Sequence, residues 1–503
     1  MRRVSWIVAV SAALLVSGAA LAAIASAARQ PRLDPALIEA LNRPGREQLD
    51  VIVYLRELAD LRVNAGWPRA ERQRRVILAL QAAADRSQPA LRDFFRRRQA
   101  TGEVSVYTPL WIVNAIAATA DRAVITDLMQ RTDVSYIALD MAFAPPALPQ
   151  PVAPLTGTPQ SNLNVINAPA LWALGYAGQG VVVGLMDTGA DVTHPDLSAQ
   201  YRGGGNSWYD PYAATTTPYD VSGHGTQVLG VMVGRDHSGS SIGVAPSAQW
   251  IAAKIYDDFG NAQESKVHLA FQWMLDPDGN PNTADAPHVV NNSWSWNTGG
   301  CDTRFQADVQ ALTAAGIVQV FAAGNFAPIN PSPANYPQAF SVGATDNADQ
   351  IYPASSRGPT SCGGPSRTFP DVVAPGVLIT TTDLYEGGLF SGYTNQSGTS
   401  LAAPHASGAM ALLLSAFPTL TVDVQRQALQ FSAIDLGAPG VDNTFGAGRL
   451  DVLAAYVAIR DGALPTPTPT PTSTHTPTPT PTLTPTLAPT PTPRSVFVPL
   501  IKR

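Results

Sequence analysis

The sequence predicts an α/β protein in which a small α+β domain, residues 28–143, precedes a main domain, residues 162–462, built on a doubly wound parallel sheet. Two patterns favour this organisation. In the main domain, runs of consecutive apolar residues alternate with helical segments, and unbroken apolar strands are typical of parallel sheets covered by helices on both faces. The smaller domain has the order β-α-β-β-α-β, which is that of a ferredoxin-like fold.

The elements of the main domain follow from this alternation. We predict strands at 180–189, 249–257, 288–295, 316–325 and 339–346, and helices at 265–275, 304–316 and 400–418. Functional sites of parallel sheets form where strands end and loops begin. Residues that directly follow the apolar runs are therefore the first candidates for a site.

The elements of the small domain are less regular. We predict a strand at 49–56, an Arg-rich helix at 68–99, a pair of strands within 104–120, a helix at 121–131 and a last strand at 133–139. This succession supplies the ferredoxin-like order.

The first 27 residues have the pattern of a secretory signal peptide. Arg2 and Arg3 precede an apolar stretch at 6–24, and the small residues at 25–28 suit cleavage by a signal peptidase. The stretch is also long enough to serve as an uncleaved membrane anchor, so that alternative stays open. We predict a secreted protein with no membrane span after signal cleavage.

Three other segments lack the pattern of a packed domain. Residues 144–161 are rich in proline and polar residues, which predicts an exposed linker that proteases can reach. Residues 463–494 are almost entirely Pro and Thr, which favours an extended polyproline II stalk. Residues 495–503 are apolar with a basic end. They are either a docking strand that associates the protein with the cell surface or a simple tail.

The charge of the chain limits its partners. A net charge of −6 over 503 residues indicates neither a nucleic acid partner nor a polybasic contact with membranes. The charge is uneven, since residues 1–142 hold 19 basic and 14 acidic residues and the remainder holds 13 and 24. Two parts of opposite charge attract each other, although compositional drift would give the same numbers. Whether the two cysteines, Cys301 and Cys362, form a disulfide depends on a proximity that sequence leaves open.

The stretch "SGTSLAAPHASG" at 397–408 contains a serine and a histidine suited to acyl transfer. The turn-like "SGT" and the Ala- and Leu-rich residues beyond it place Ser400 at a helix N-terminus, with Pro404 tolerated in the first turn. Free N–H groups there favour developing negative charge, but a plain capping serine has the same pattern. Five residues along a helix correspond to about 500°, so His405 faces roughly 140° away from Ser400. His405 is therefore expected to be structural, and the base must come from elsewhere.

Three residues in other segments could complete a site. His224 lies in "DVSGHGTQVLGVMVG", where glycines allow close approach and a helix follows, so it is well placed as a general base. Asp187 ends an apolar strand and could orient that histidine. Asn325 ends another strand and could donate its amide to an oxyanion, or it is a plain turn residue.

Two other protease classes fit poorly. None of the seven histidines lies in the H-E-x-x-H pattern of zinc peptidases. The chain has one Asp-Thr-Gly, at 187–189, whereas aspartic protease chemistry needs two such aspartates.

The motifs "MDTG", "GHGT", "AAGN" and "GTSLAAPH", in this order, resemble those of the subtilisin-like serine proteases, or subtilases. The resemblance spans about residues 162–460, and phrases such as "VVNNSW" and "SSRGP" are similar to the bacillopeptidase F-like branch. It implies a subtilisin-like fold in which Ser400 is the nucleophile, His224 the general base and Asp187 the residue that orients it. Asn325 and the backbone N–H of Ser400 would hold the oxyanion.

The resemblance also implies where substrate binds. Ser293, Trp294 and Ser295 in "NSWSW" match the segment that pairs with substrate main chain, and Gly324 precedes the oxyanion residue. The family often has glycine at the position of Ser295, so the resemblance leaves the shape of the substrate channel open. Gln227 stands where histidine is common, outside the catalytic residues.

By the same resemblance, residues 28–143 are similar to an inhibitory propeptide that assists folding and is then cut off. The implied partners are protein or peptide substrates and the chain's own propeptide, with no nucleic acid. No cofactor is required. A structural calcium stays open, because Asp196 matches a ligand position in some members, yet the loop at 236–246 lacks a clear carboxylate set, so Asp196 fits a loop cap equally well.

Two rival functions remain. The first is a catalytically inactive subtilisin-like binding module displayed on the stalk, against which the four intact catalytic positions argue. The second is an acid-acting sedolisin, which uses glutamate as base; His224 in "GHGT" argues against it.

Overall fold

The computed structural model describes residues 30–44, 48–64, 66–144, 159–296 and 299–465. The predicted signal peptide, nearly all of the linker at 144–161, and almost all of the predicted stalk and tail lie outside the described residues.

The N-terminal domain is a five-stranded sheet with helices against it. Its strands are β1 (Arg32–Leu33), β2 (Gln48–Leu55), β3 (Val104–Leu110), β4 (Ala115–Asp121) and β5 (Val134–Leu139), and its helices are α1 (Pro35–Asn42), α2 (Arg69–Ser87), α3 (Pro89–Ala100) and α4 (Arg122–Leu128). The strand order is β1-β5-β2-β4-β3, with β2 antiparallel to both of its neighbours. From β2 onward the elements follow the predicted β-α-β-β-α-β order, except that two helices stand where one was predicted, and β1 and α1 precede it.

The helix predicted at 68–99 is in fact two helices. Helix α2 ends at Ser87 and α3 begins at Pro89. Proline has no N–H to donate and its ring crowds the preceding turn, so it ends a helix but fits the first turn of the next. Apolar residues of α3, such as Leu91 and Phe95, then pack against the sheet.

The main domain contains the predicted parallel sheet. A short strand, β6 (Ala142–Phe143), closes the N-terminal segment. The further strands are β7 (Val182–Asp187), β8 (Trp208–Tyr209), β9 (Gln249–Lys254), β10 (Ala262–Gln263), β11 (Val289–Asn292), β12 (Val318–Ala322), β13 (Phe340–Thr345), β14 (Val372–Pro375), β15 (Ile379–Thr382) and β16 (Tyr393–Gln396). Seven of them form one sheet in the order β14-β13-β12-β11-β7-β9-β8, and every pairing in it is parallel.

Helices cover both faces of this sheet, as a doubly wound fold requires. They are α5 (Ser161–Val165), α6 (Ala168–Ala173), α7 (His224–Val233), α8 (Glu264–Leu275), α9 (Gln306–Ala314), α10 (Thr399–Ala416), α11 (Val422–Phe431) and α12 (Val452–Arg460). Helices α7 and α10 share one apolar core with the sheet, and α8 and α9 share the other. Helix α10 is buried from Thr399 to Leu414, so it crosses the centre of the molecule.

The N-terminal domain packs on α8 and α9. From α2, Arg69 donates to the backbone oxygens of Ala286 and Pro287, and Arg72 donates to Ala314 O at 3.1 Å, at the C-terminal end of α9. Guanidinium groups suit helix C-termini, where carbonyl oxygens lack partners. In this way α2 binds the main domain largely through backbone carbonyls.

A buried polar cluster lies in the same interface. The Tyr54 hydroxyl donates to Glu264 Oε1 at 3.1 Å and lies 3.2 Å from His268 Nε2. Asp308 accepts from His268 Nδ1 at 2.9 Å, and Arg304 pairs with Glu264. Burial lowers the pKa of His268, but Asp308 and Glu264 outweigh it and raise that pKa to about 10. His268 is therefore an imidazolium at neutral pH.

The two cysteines are joined. Cys301 and Cys362 form a disulfide with a Cα–Cα distance of 5.0 Å, which links the loop before α9 to the loop before β14. This settles the pairing that the sequence left open. In the described part of the chain, no helix has both the length and the apolar character needed to cross a membrane.

Candidate active site

Two buried polar side chains meet at the carboxyl end of the sheet. Asp187 is the last residue of β7, and His224 is the first residue of α7. The Asp187 Oδ1 atom lies 2.6 Å from His224 Nδ1, and it also accepts the Thr188 N–H at 2.7 Å. The Thr188 hydroxyl accepts the Gly225 N–H at 2.9 Å, which fixes the start of α7 against the end of β7. The carboxylate thus holds the imidazole with Nδ1 as donor.

The same contact sets the charge state of His224. Burial alone lowers the pKa of a histidine, since it penalises the charged form. Here the charge of Asp187, its hydrogen bond and the more distant charge of Asp220 outweigh burial and raise the pKa of His224 above the ordinary value. The outer nitrogen, His224 Nε2, has no hydrogen-bond partner among the described residues. It is available to take a proton.

Ser400 lies at the N-terminus of α10, as predicted. Gly398 caps the helix with φ of 150°, and Ser400 is the second helical residue. The Ser400 hydroxyl donates to the backbone oxygen of Ser293 at 3.2 Å. Helices α10 and α7 pack against each other on the same face of the sheet, so Ser400 and His224 begin neighbouring helices.

Pro404 is not in the first turn of α10, contrary to the prediction. The helix begins at Thr399, which makes Pro404 its sixth residue. Proline cannot donate the N–H that would normally reach the carbonyl four residues earlier, which belongs to Ser400. The Ser293 hydroxyl donates to that Ser400 oxygen instead, at 2.8 Å. The helix therefore tolerates the proline because Ser293 replaces the missing donor.

Asn325 is held by the turn that precedes Ser400. Its side-chain oxygen accepts both the N–H and the hydroxyl of Thr399 at 3.0 Å. The Thr399 hydroxyl in turn accepts the Gly324 N–H at 3.1 Å. Because the amide oxygen accepts from Thr399, the NH₂ group is the part of the Asn325 side chain that can donate to an oxyanion.

Ser400 and Asn325 line one cavity of about 200 Å³. All four residues predicted to bind substrate lie in its wall together with two of the predicted catalytic residues. The lining residues are Ser293, Trp294, Ser295, Ala322, Gly324, Asn325, Phe326, Thr399 and Ser400. Asp187 and His224 are absent from that lining and lie at the end of β7 and the start of α7.

His405 has the structural position expected of it. It is fully buried, its Nδ1 lies 2.7 Å from Leu401 O, and its Nε2 lies 2.8 Å from the Asn162 side-chain nitrogen. Burial lowers its pKa to about 4. A neutral His405 therefore links α10 to α5.

Asp196 has the environment of a loop cap. One of its carboxylate oxygens accepts the His237 N–H at 2.7 Å, and the other accepts the Tyr393 hydroxyl at 2.6 Å. These two bonds tie the loop at 236–246 and strand β16 to Asp196, as a loop cap does. Gln227 likewise has a local role, donating to Asp383 Oδ1 at 3.0 Å.

The sequence did not indicate that Thr399 supports the site; it identified Thr399 only as a turn neighbour of Ser400. The Thr399 hydroxyl in fact bonds both Asn325 and Gly324. The sequence likewise did not indicate the role of Thr188, which ties β7 to α7. Both directly adjoin a predicted catalytic residue, and a hydroxyl beside such a residue is a signal that could have identified them. Their partners lie 75 and 37 residues away along the chain, so only the fold shows what they bind.

Comparisons with known proteins identify the family of the chain. The model of the subtilase family matches residues 178–448, more than half of the chain. Bacillopeptidase F of Bacillus subtilis (strain 168) is 33% identical over 437 residues, which cover 80% of this chain and 30% of that protein. Subtilisin E of the same organism is 35% identical over 351 residues, covering 68% of this chain and 81% of its own length.

A subtilisin of Bacillus pumilus is 36% identical over 299 residues, which cover 58% of this chain and 97% of that protein. The chain thus spans under a third of bacillopeptidase F but most of the shorter relatives. The family match, the parallel sheet and the relatives agree on one assignment. The chain belongs to the subtilase family, the subtilisin-like serine endopeptidases.

Proposed function

We propose that this protein hydrolyses peptide bonds of protein substrates through an acyl-enzyme formed on Ser400. His224 Nε2 takes the hydroxyl proton while Ser400 Oγ attacks the scissile carbonyl carbon. His224 then gives that proton to the leaving amine, and the acyl group stays on Ser400. Water, activated by the same nitrogen, attacks the ester and restores the serine.

The other residues stabilise charge in these steps. Asp187 holds His224 with Nδ1 protonated and stabilises the imidazolium that forms. The Asn325 amide and the Ser400 N–H donate to the tetrahedral oxyanion, and one such donor contributes roughly 3 kcal/mol to transition-state stabilisation. The observation that carries the proposal is the 2.6 Å Asp187–His224 contact at the start of α7, a helix that packs against α10, where Ser400 lines a cavity together with Asn325.

Casein hydrolysis by the purified protein at neutral pH tests the chemistry. We expect activity that a serine-directed sulfonyl fluoride abolishes and that Ser400→Ala removes. Ser397→Ala is the matched control, since that hydroxyl only accepts the Leu378 N–H at 2.9 Å in the same turn. Activity that survives in Ser400→Ala would contradict the mechanism. A wild-type protein without activity would favour the rival binding module.

We also propose that the N-terminal domain is an inhibitory propeptide that the enzyme removes by its own activity. Strand β6 runs antiparallel to β10 at the edge of the main domain. Phe143 packs on three aromatic rings there, with centroid distances of 4.7 Å to Trp296, 5.6 Å to Tyr256 and 5.9 Å to Trp294. Trp294 also lines the Ser400 cavity. Trp294 therefore contacts Phe143 of β6 and also forms part of the cavity wall, so β6 ends close to that cavity.

Docking of β6 is reinforced at the start of α8. Asp140 accepts the Ser265 N–H at 3.0 Å and the Gln263 side-chain amide at 2.8 Å, and Met141 O accepts the Glu264 N–H at 2.9 Å. A carboxylate at a helix N-terminus is electrostatically favourable. These bonds support a role for 142–143 as a guide that brings the linker at 144–161 to the site.

Processing is tested with pure full-length protein. Wild type should lose a fragment of about the N-terminal domain, and N-terminal sequencing should place the new end within 144–161. Pure Ser400→Ala should remain intact, and Ser397→Ala should be processed. Cleavage of pure Ser400→Ala at an unchanged rate would contradict self-processing.

We propose further that the protein acts outside the cell. The support is the signal-like N-terminus and the Cys301–Cys362 disulfide, a bond that persists in oxidising compartments. Expression with the full N-terminus should give mature enzyme in the medium. Retention of the activity on washed cells, lost when residues 463–503 are deleted, would support surface association through the stalk.

A further inference from the structure

The loop that joins α8 to β11 brings three carboxylates together. Asp276, Asp278 and Asp285 each offer one oxygen, and these oxygens all lie within 4.8 Å of one another. The loop begins "DPDGNPNTAD", with oxygen-bearing side chains at alternate positions from Asp276 to Asn282. Such alternation is typical of loops that wrap around a calcium ion.

Asp276 is the unusual member of this cluster. It caps the C-terminus of α8, where its N–H donates to Trp273 O at 3.1 Å. Only 5% of the residue is exposed, and neither carboxylate oxygen has a hydrogen-bond partner among the described residues. A carboxylate is disfavoured at the negative end of a helix, and an unpaired buried charge is costly. A cation beside Asp276 would offset both of these costs.

Among the described residues, the charges of Arg202 and Arg69 act on Asp285, whereas no positive side chain acts on Asp276. Asp285 Oδ1 is also buried without a partner in the described part of the chain, and its Oδ2 accepts the Asn206 amide at 2.9 Å. The nearby Arg202 guanidinium donates to the backbone oxygen of Asp285, at 2.5 Å, rather than to a carboxylate.

Asp278 is already positioned by the loop. Its Oδ1 accepts the Asn280 N–H at 2.9 Å, and both of its oxygens lie 2.9 Å from the Thr283 hydroxyl. These bonds fold the loop so that Asp278 faces the other two carboxylates.

We propose that Asp276, Asp278 and Asp285 bind a calcium ion. The three donors in the cluster are carboxylates, which suit a hard divalent cation, whereas zinc prefers histidine and cysteine. Calcium accepts irregular oxygen sets completed by water and carbonyl groups, and magnesium demands a near-ideal octahedron. This cluster does not include Asp196, whose carboxylate accepts from His237 and Tyr393.

The site connects to the rest of the molecule at two points. Beyond the loop, β11 leads to Ser293, which lines the catalytic cavity. On the other side, Arg74 of α2 donates to Asn282 Oδ1 at 3.0 Å, so the N-terminal domain touches the same loop. Calcium therefore fixes a loop that lies between the substrate wall and the N-terminal domain.

Calcium titration of the full-length Ser400→Ala protein tests the proposal without self-digestion. After treatment with a chelator, CaCl₂ should bind with a dissociation constant of about 10⁻⁵ to 10⁻³ M and raise the melting temperature. Asp276→Asn keeps the shape and removes the unpaired charge. We expect it to melt at the same or a higher temperature without calcium, and to bind the ion at least about tenfold more weakly because one ligand charge is lost.

Asp236→Asn is the matched control, since it removes an exposed acid from the loop at 236–246. It should retain the calcium-dependent rise in melting temperature. No saturable calcium binding by the parent would overturn the proposal, and so would unchanged binding in Asp276→Asn or a loss confined to Asp236→Asn. None of these outcomes depends on peptidase activity, so the calcium site and the proposed chemistry are tested separately.

Discussion

The backbone carbonyl of Ser400 shows how one residue can serve both the helix and the site. Pro404 cannot donate to it, so Ser293 does, at 2.8 Å. Ser293 O in turn accepts the Ser400 hydroxyl at 3.2 Å. This reciprocal pair ties the start of α10 to the segment after β11. The cavity lined by Ser400 is therefore held together by hydrogen bonds between two of its wall segments.

Removing the Ser293 hydroxyl should expose this dependence. Ser293→Ala leaves the buried Ser400 oxygen unpaired, which costs about 1–3 kcal/mol of unfolding free energy. In a Pro404→Ala background the N–H of residue 404 can donate to that oxygen, so the same substitution should cost less. A double-mutant cycle measured by urea unfolding gives the coupling. Equal penalties in both backgrounds would contradict this account of Pro404.

The pH dependence of catalysis should report His224. As a base it must be neutral, and its contacts raise its pKa above the ordinary value. On the acid side, kcat/KM should therefore fall at a higher pH than an unperturbed histidine would give. In Asp187→Asn the carboxylate charge that raises the pKa is removed, so the inflection should move to lower pH while kcat drops by about 10⁴. An inflection that stays in place would mean that Asp187 does not act on His224.

At the level of residues, sequence points to the candidate catalytic groups more readily than to the groups that hold them in place. Asp187, His224, Asn325 and Ser400 lie in short motifs that can be read locally. The partners of Ser293 and Thr399 cannot be read in this way, because those hydrogen bonds join positions 107 and 75 residues apart. Such contacts depend on the fold as a whole.

At the level of elements, the close approach of α7 to the end of β7 depends on glycine. A Cβ atom on Gly225 would lie 2.1 Å from Gly189 O, and one on Gly189 would lie 2.1 Å from Tyr219 O. Backbone atoms cannot yield by that much without moving an element. The glycines of "GHGT" and "DTG" therefore set the separation between Asp187 and His224.

Gly225→Ala should displace α7 from β7. We expect a loss of kcat together with a lower melting temperature, because the 2.6 Å Asp187–His224 contact cannot survive the shift. Gly205→Ala is the matched control, since a Cβ there meets nothing within 4 Å. Thermal melts and initial rates of both variants show whether the added Cβ atom displaces α7. A Gly225→Ala protein with normal kcat would show that α7 can adjust.

The elements that sequence predicts well are those with an apolar run. Strands β7, β9, β11, β12 and β13 were expected from such runs, within a few residues of their observed ends. The hairpin of β15 and β16 was not expected, because "ITTT" and "YTNQ" are polar. Its burial depends on Thr381 and Thr382, whose hydroxyls donate to backbone oxygens of α7 at 2.6 Å. Polar residues satisfied by a distant helix have no signature in local sequence.

At the level of the whole molecule, one covalent bond links distant loops of the main domain. The Cys301–Cys362 disulfide spans 61 residues. By the chain-entropy relation, closing such a loop in the unfolded state is worth about 4 kcal/mol. The double variant Cys301→Ser with Cys362→Ser should have a free energy of unfolding lower by about that amount. Its midpoint of unfolding should therefore lie at a lower denaturant concentration. Reductant should lower the stability of wild type and leave the double variant unchanged.

The interface between the two domains has a consequence for their response to salt. The unequal charges of the two parts suggest long-range attraction, which ions screen beyond a distance of about 10 Å at 0.1 M. Arg69 and Arg72, however, bind backbone oxygens, and Tyr54 binds a buried carboxylate. Short, partly buried bonds of this kind are screened little. With the domains supplied as separate chains, rising ionic strength should slow their association and leave the lifetime of the complex nearly constant.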